Sequence, residues 1–143
     1  MFKKRLKELL TSQPDSLMVQ TLSEIANRLM GVRWIVWLNS SGLARASFLA
    51  DTELDRKSAM GAALLSLGER ISTELRGGAL HYSLIAGESG LHLLLVLDQD
   101  NALLLGLHPQ TSIDALLVEV RNTVQMYALQ LKLAPDSPWL SGI

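Results

Sequence analysis

The sequence predicts an α+β domain, a sandwich in which a five-stranded antiparallel sheet lies between one long helix on one face and two helices on the other. The hydrophobic pattern gives the order helix-strand-strand-helix-strand-strand-strand-helix, without internal repeats. The strands of the first hairpin and the last three strands are joined by short connections, which require antiparallel pairing. Two leucine-rich strands, at 91–97 and 102–107, do not alternate polar and apolar residues. Both of their faces should therefore be covered by helices.

The composition is that of one globular domain. The 143 residues carry 13 Lys and Arg against 14 Asp and Glu, a formal charge of −1 that argues against a general nucleic-acid-binding protein. Cysteine is absent, which excludes disulfides and thiol chemistry. No apolar run approaches the roughly 18 to 20 residues of a membrane span, and the basic start lacks the apolar centre of a signal peptide. We therefore expect a cytoplasmic protein.

The first core helix is predicted over 17–30, between Pro14 and Gly31. A hairpin follows, with strands at 32–39 and 43–49 that are rich in β-branched and aromatic residues. The core face of the first helix is expected to consist of Met18, Leu22, Ile25, Ala26, Leu29 and Met30.

The second helix is predicted from about residue 52 or 53 to Leu75 and ends ahead of two glycines. Three strands then follow, at 80–86, 91–97 and 102–107. The stripe of the second helix that faces the sheet is expected to contain Met60, Ala63, Leu64, Leu67, Ile71 and Leu75.

The last helix is predicted to begin near Thr111 or Ser112 and to end before Pro135 and Pro138. Its apolar face contains Ile113, Leu116, Leu117, Val120, Val124, Tyr127 and Leu131.

Three regions are expected along the chain: a basic amphipathic helix at 1–13, the domain at 14–133 and a tail at 134–143. The first region has three interpretations, namely a cap over the core, a docking element for another protein, or a segment attracted to an anionic membrane. Trp139 in the tail is either an anchor for a partner or part of a segment folded back on the domain.

The second helix carries a second stripe of mostly small residues beside the predicted core stripe. A glycine inside a helix costs about 1 kcal/mol relative to alanine, so two of them suggest the close approach of another backbone. The strand at 80–86 contains no Lys, Glu or Pro and would be an unprotected sheet edge. Symmetric dimerisation accounts for both features. The expected dimer interface contains Leu54, Ser58, Gly61, Leu65, Gly68, Ser72, His81, Tyr82, Ser83, Leu84 and Ile85.

Two stretches, 31–39 and 41–47, carry a family resemblance together with the small-residue helix. They read Gly-Val-Arg-Trp-Ile-Val-Trp-Leu-Asn and Ser-Gly-Leu-Ala-Arg-Ala-Ser. This chain resembles the Roadblock family of dynein light chains and bacterial MglB-type proteins, over about Leu17 to Leu131. Asn39 stands where the family usually has aspartate. The resemblance implies a profilin-like Roadblock fold and a homodimer joined through the third strands.

The resemblance further implies that the paired second helices bind a Ras-like small GTPase. The main functional hypothesis is a non-enzymatic homodimeric regulator or binding platform for such a GTPase, in some MglB-type members a GTPase-activating protein. The alternative is an adaptor or scaffold subunit, like a dynein light chain, without effect on GTP hydrolysis. A third hypothesis is a small-molecule sensor, which the filled leucine-rich core disfavours. The expected partner-binding residues are Asp55, Ala59, Ala62, Ser66, Glu69, Arg70 and Thr73. The alternative is that they form only a solvent-exposed face of the helix.

The sequence provides no pattern for intrinsic catalysis, a cofactor or a metal. It lacks a P-loop and a Gly-x-Gly-x-x-Gly motif. If the last hairpin turns at Gln99 and Asp100, His92 lies opposite Leu107 and His108 opposite Leu91, on different faces of the sheet. No base lies near Ser40, Ser41 or Ser47 in the sequence to activate a serine nucleophile. The carboxylates of Asp98 and Asp100 are typical of a hairpin turn. No feature distinguishes an arginine finger among Arg45, Arg56, Arg70 and Arg76.

Overall fold

The protein is described by a computed structural model over residues 16–50 and 53–133. The described residues form three helices and five strands in the predicted order. The predicted extension at 1–13 and the tail at 134–143 lie outside them. The elements are α1 (16–28), β1 (Val32–Asn39), β2 (Ala44–Phe48), α2 (Leu54–Glu74), β3 (Tyr82–Ala86), β4 (Leu91–Asp98), β5 (Asn101–Leu107) and α3 (Ile113–Tyr127).

The five strands form one antiparallel sheet in the order β2-β1-β5-β4-β3. The leucine-rich β4 and β5 lie in the interior of the sheet, and every residue of β5 is buried. The edges are β2 and β3. The predicted fold class is confirmed: both faces of the central strands are covered, as their lack of polar alternation requires.

The larger core lies between the sheet and the pair α1 and α3. Met18, Leu22 and Ile25 of α1 are almost fully buried there, as the helical spacing predicts. From α3, Leu116, Val120 and Val124 are fully buried in the same cluster. Met30 was expected on this face but is exposed, because α1 ends before it and the chain turns there.

The smaller core lies between α2 and the opposite face of the sheet, and it corrects the predicted orientation of this helix. Gly61 faces the sheet, and a Cβ on it would come 2.5 Å from the Leu38 side chain and 3.2 Å from that of Leu104. Leu64 is half-buried against this core. The other five members of the predicted core stripe, Met60, Ala63, Leu67, Ile71 and Leu75, are all exposed.

The physical reason is that α2 lies on its small residues. Close contact at Gly61 and at Gly68 brings this face of the helix near the sheet. The bulky Met60, Leu67 and Ile71 lie on other faces of the helix and are exposed. The glycines do mark a close approach, but the neighbours are side chains of this same chain: Leu38 and Leu104 at Gly61, and Ser83 and Leu80 at Gly68.

The pairing of β4 with β5 also differs from the predicted register. Asp98 pairs with Asn101 around a turn at Gln99 and Asp100, as expected, but an irregularity between Val96 and Asp98 shifts the rest by one residue. His92 therefore lies opposite Gly106 and not Leu107. Such a bulge has no sequence signature in this hairpin, so the even count from the turn was wrong.

Two polar side chains hold the hairpin turns at one end of the sheet. The Asn39 side-chain oxygen accepts hydrogen bonds from the backbone N–H groups of Ser41 and Leu43, at 2.9 and 3.0 Å. The Asn101 side-chain oxygen accepts from the buried Trp37 indole at 2.9 Å and from Arg45 at 3.0 Å. These asparagines satisfy donors that strand pairing leaves over.

The remaining differences concern element ends. The strand predicted from residue 80 begins at Tyr82, and that predicted over 43–49 spans Ala44–Phe48. The last helix ends at Tyr127, well before Pro135. Its N-cap is Ser112, whose hydroxyl accepts a hydrogen bond from the backbone of Ala115. Within the described residues, no helix has the length and apolar character needed to cross a membrane.

Candidate functional site

The edge strand β3 exposes backbone hydrogen-bonding groups. The backbone N–H of Val96 donates to the carbonyl of His81, and Gly87 donates to Gly90 at the other end of the β3–β4 pair. Because bonded residues alternate along an antiparallel strand, Ser83 and Ile85 direct their N–H and C=O groups toward β4. The corresponding groups of Tyr82 and Leu84 point away from the sheet and have no neighbouring strand among the described residues.

The side chains of β3 do not protect this edge. Tyr82, Leu84 and Ile85 are all exposed, and the strand carries no charge, proline or bulge. Natural sheets usually protect a free edge with one of these devices. We call this strand, with its outward backbone groups, the β3 edge.

An exposed apolar flank of α2 runs beside the β3 edge. We call it the α2 flank; it consists of Met60, Leu67, Ile71 and Leu75, whose exposed fractions are 60%, 56%, 49% and 78%. Gly68 lies over Ser83, where a Cβ would come 2.6 Å from the serine hydroxyl, so this part of the helix crosses β3. Farther along, Met60 and Ile85 line the same groove. The flank and the edge therefore adjoin.

The helical residues that were predicted for the dimer interface face the interior of the chain's own domain. Ser58 and Gly61 are buried against the chain's own sheet. Leu54 and Leu65 pack on the same core, and Gly68 is covered by Ser83 and Leu80.

Ser72 is also engaged within the chain, since its hydroxyl donates to the carbonyl of Gly78 at 2.7 Å. Sequence reasoning assigned the α2 flank to the core and so missed that this apolar stripe is exposed.

The strand residues predicted for the dimer interface lie along the β3 edge or just before it. His81, Tyr82, Leu84 and Ile85 are exposed, while Ser83 points toward α2 and is half-buried. An unpaired strand edge and exposed side chains are the features that pairing with a second copy requires. Both are observed here in a single chain.

The predicted partner face forms most of the outer surface of α2. Ala62 is half-buried, because its methyl group packs over Gly42 in the β1–β2 turn. Arg70 forms an ion pair with Glu74 at 3.1 Å, and both side chains are largely in solvent. The exposed members are Asp55, Ala59, Ser66, Glu69, Arg70 and Thr73.

The other arginines considered as fingers differ in their surroundings. Arg56 forms an ion pair with Glu53 at 3.0 Å, and Arg45 donates to Asn101 at 3.0 Å. Arg76 lies just after α2 with a positive φ of 62°. These surroundings distinguish none of the three as a finger.

The histidines do not form a cluster. His92 tilts against Trp34 with ring centroids 5.9 Å apart, whereas His108 follows β5 and its backbone N–H donates to Gly31. Over residues 16–50 and 53–133, no three histidine or carboxylate side chains come together as metal ligands do.

The comparison with solved structures shows a shared fold. The Roadblock/LC7 domain from Streptomyces avermitilis superimposes with a TM-score of 0.73 at 19% identity, covering 80% of this chain and 97% of that one. The gliding protein MglB from Thermus thermophilus gives 0.71 at 14% identity, covering 84% and 92%. MglB of Myxococcus xanthus gives 0.65 at 8% identity, covering 85% and 98%.

No curated protein matches this sequence significantly. At the identities above, the structural likeness establishes the fold alone. The sequence itself matches the model of the Roadblock/LC7 domain over residues 18–107. This match spans more than half of the chain and runs from α1 through the whole sheet to the end of β5. The chain therefore belongs to the Roadblock/LC7 family.

Proposed function

We propose that this protein is a non-enzymatic homodimer that regulates, or serves as a binding platform for, a Ras-like small GTPase. The observation that carries the proposal is the unprotected β3 edge beside the exposed α2 flank. Family membership adds the class of partner, since MglB-type members act on a Ras-like GTPase.

The first step is the dimer. Antiparallel pairing of two β3 edges across a twofold axis satisfies the outward N–H and C=O groups of Tyr82 and Leu84 in both copies. The same axis brings the two α2 flanks toward each other over the joined sheets. Side chains that are exposed in one chain, such as Ile71, would then be buried between two helices. This replaces the predicted contact through Gly61 and Gly68.

The second step is the partner surface. In the dimer, the outer faces of the two α2 helices form one continuous surface on one side of the extended sheet. In each copy that face combines acidic and basic side chains, Asp55, Glu69 and Arg70, with the small Ala59 and Ser66. Small side chains between charged ones suit a flat contact with another folded protein, in which charges set orientation.

The dimer is tested by the solution mass of the purified chain, measured by light scattering over a range of concentrations. We expect about twice 15.7 kDa. Leu84→Pro removes one outward N–H without breaking a bond to β4, and Ile71→Lys places a charge on the α2 flank. Both variants should be monomers with native circular dichroism. Val118→Lys changes an equally exposed apolar residue on α3 and should stay dimeric. A monomeric wild type contradicts the proposal.

The GTPase role is tested with purified Ras-like small GTPases from the source organism, each loaded with GDP or with a non-hydrolysable GTP analogue. We expect nucleotide-dependent binding to the dimer, weakened by Glu69→Lys with Arg70→Glu. Measuring GTP hydrolysis in the complex then separates an activator from an adaptor. A stable dimer that binds none of these GTPases in either nucleotide state refutes this part.

A further inference from the structure

An apolar stripe on the outward side of α3 is not covered by any other described element. Val118 and Met126 lie on this side of the helix and Leu129 just after its end, and each is more than half exposed. Ala115 and Asn122 share the same side by helical spacing and are exposed as well. None of the five carries a charge. We call these residues the α3 stripe, and it lies across the sheet from the α2 flank.

The chain enters α1 beside the C-terminal end of α3. Met18, near the start of α1, lines the same cavity as Leu131, which follows α3. Farther along α1, the Arg28 guanidinium lies 3.9 Å from the Glu119 carboxylate, in the first half of α3. The two helices are therefore antiparallel. The residues that precede α1 join it at the end of α3 where Met126 lies.

A short connection joins α1 to the amphipathic helix that the sequence predicts at 1–13. The apolar side of this predicted helix consists of Phe2, Leu6, Leu9 and Leu10. From Leu10 to the start of α1 the chain can span at most about 20 Å. An isolated helix of this length is marginal in water, so it needs an apolar surface within that reach.

Two helices present outward surfaces within that reach, and they differ in polarity. The outward side of α1 consists of Ser16, Gln20, Ser23 and Asn27, which are all polar. Apolar side chains placed there would stay next to polar groups. On the α3 stripe, by contrast, apolar surface is removed from water on both partners. An apolar segment is therefore stabilised more by α3 than by α1.

We propose that residues 2–10 dock on the α3 stripe with their apolar side, which makes this segment a cap on its own domain. This contact lies outside the proposed function and does not depend on it. Since the segment joins α1 at the C-terminal end of α3, Leu9 is placed against Met126 and Phe2 against Val118. The spacings agree, because the two members are seven residues apart in the segment and eight in α3, or about 11 and 12 Å along a helix. The basic side of the segment stays in water.

The test exploits the absence of cysteine from this sequence. In the full chain, Leu9→Cys with Met126→Cys places two thiols at the proposed contact. Under mild oxidation, a disulfide within one chain should form at least about tenfold faster than in the control pair Glu8→Cys with Met126→Cys. Glu8 has the same connection to α1, and hence the same effective concentration, but lies on the other side of the predicted helix. Non-reducing gels and peptide mass spectrometry identify the bond.

A second pair of variants tests the apolar contact itself. In the background of Leu9→Cys with Met126→Cys, Phe2→Glu should slow disulfide formation to the control rate, because the carboxylate would have to leave water on the α3 stripe. Lys4→Glu, on the basic side, changes the charge more and should alter the rate by less than about twofold.

Three results would overturn the proposal. They are equal rates for the two cysteine pairs, a disulfide that joins two chains, and a Phe2→Glu variant that cross-links as fast as its parent. The first would leave the α3 stripe to another protein, and the second would assign it to the segment of a second copy. The solution mass of the same samples decides the proposed dimer separately.

Discussion

The indole of Trp34 occupies the space above its cross-strand partner Gly106, where any side chain would overlap it. Gly106→Ala should therefore lower the free energy of unfolding by about 1 to 3 kcal/mol, because the ring is pushed from its place on β5. Urea denaturation measures the loss.

A double-mutant cycle identifies the cause. In a Trp34→Ala background the added methyl group of Gly106→Ala has no ring to meet, so most of its cost should disappear. Equal costs in the two backgrounds would show that the glycine is needed for its backbone conformation instead.

The Asn101 side chain should be one of the more costly polar groups to remove. It accepts from the Trp37 indole and from Arg45 and donates to Asp98 at 2.8 Å. Asn101→Ala leaves the fully buried indole N–H without its acceptor, which should cost about 2 to 3 kcal/mol in urea denaturation. Asn122→Ala, at an exposed position of α3, should cost less than about 0.5 kcal/mol. Equal losses would contradict this account.

Close packing of α2 gives a prediction that separates monomer stability from association. Gly61→Leu should lower the free energy of unfolding by about 2 to 3 kcal/mol, because the new side chain meets Leu38 and Leu104. Ala63→Leu adds bulk at an exposed position of the same helix and should change stability by less than about 0.5 kcal/mol. If the Gly61→Leu variant kept native stability but changed its solution mass, the result would support the helix-to-helix contact that the sequence predicted at this residue.

Alkaline pH should weaken the contact between α1 and α3. The hydrogen bond from the Tyr127 hydroxyl to the Glu24 carboxylate raises the pKa of the tyrosine above 10.0, and burial and the charge of Glu24 act in the same direction. The Tyr127 hydroxyl holds its proton more tightly in the folded state than in the unfolded state. The stability that this hydrogen bond contributes is therefore complete below pH 10 and is lost as the pH rises through the raised pKa.

The measurement is the difference in unfolding free energy between wild type and Tyr127→Phe across this range. It should be constant below pH 10 and shrink above it. The absorbance of the phenolate, as wild type minus Tyr127→Phe, gives the titration of Tyr127 alone. A difference that grows with pH would contradict the assigned bond.

The fold could be predicted from the sequence wherever the hydrophobic pattern reflects burial directly. The continuous leucines of β4 and β5 indicate that both faces of these strands are buried. The helical spacing of Leu116, Val120 and Val124 indicates the core face of α3. The layers of the fold were therefore predicted correctly. The orientation of α2 was not. Hydrophobic periodicity assumes that bulky residues point inward, whereas here Gly61 points inward and Met60 outward.

The candidate site could be predicted only in part for the same reason. The β3 edge was recognisable because the absence of charge and proline is visible in sequence. The α2 flank was assigned to the core because an exposed apolar stripe has the same spacing as a buried one. The position of Trp34 over Gly106 could not be predicted, because it depends on the register of β1 with β5, which shifts between Val32 and Trp34.

The amide at position 39 gives the first hairpin a turn that is insensitive to acid. An aspartate in its place would accept two backbone N–H groups well only while it is ionised. The Asn39 oxygen accepts from Ser41 and Leu43 without any charge. The hydrogen bonds of the turn between β1 and β2 therefore persist at acidic pH, where an aspartate would be protonated and would accept these bonds more weakly.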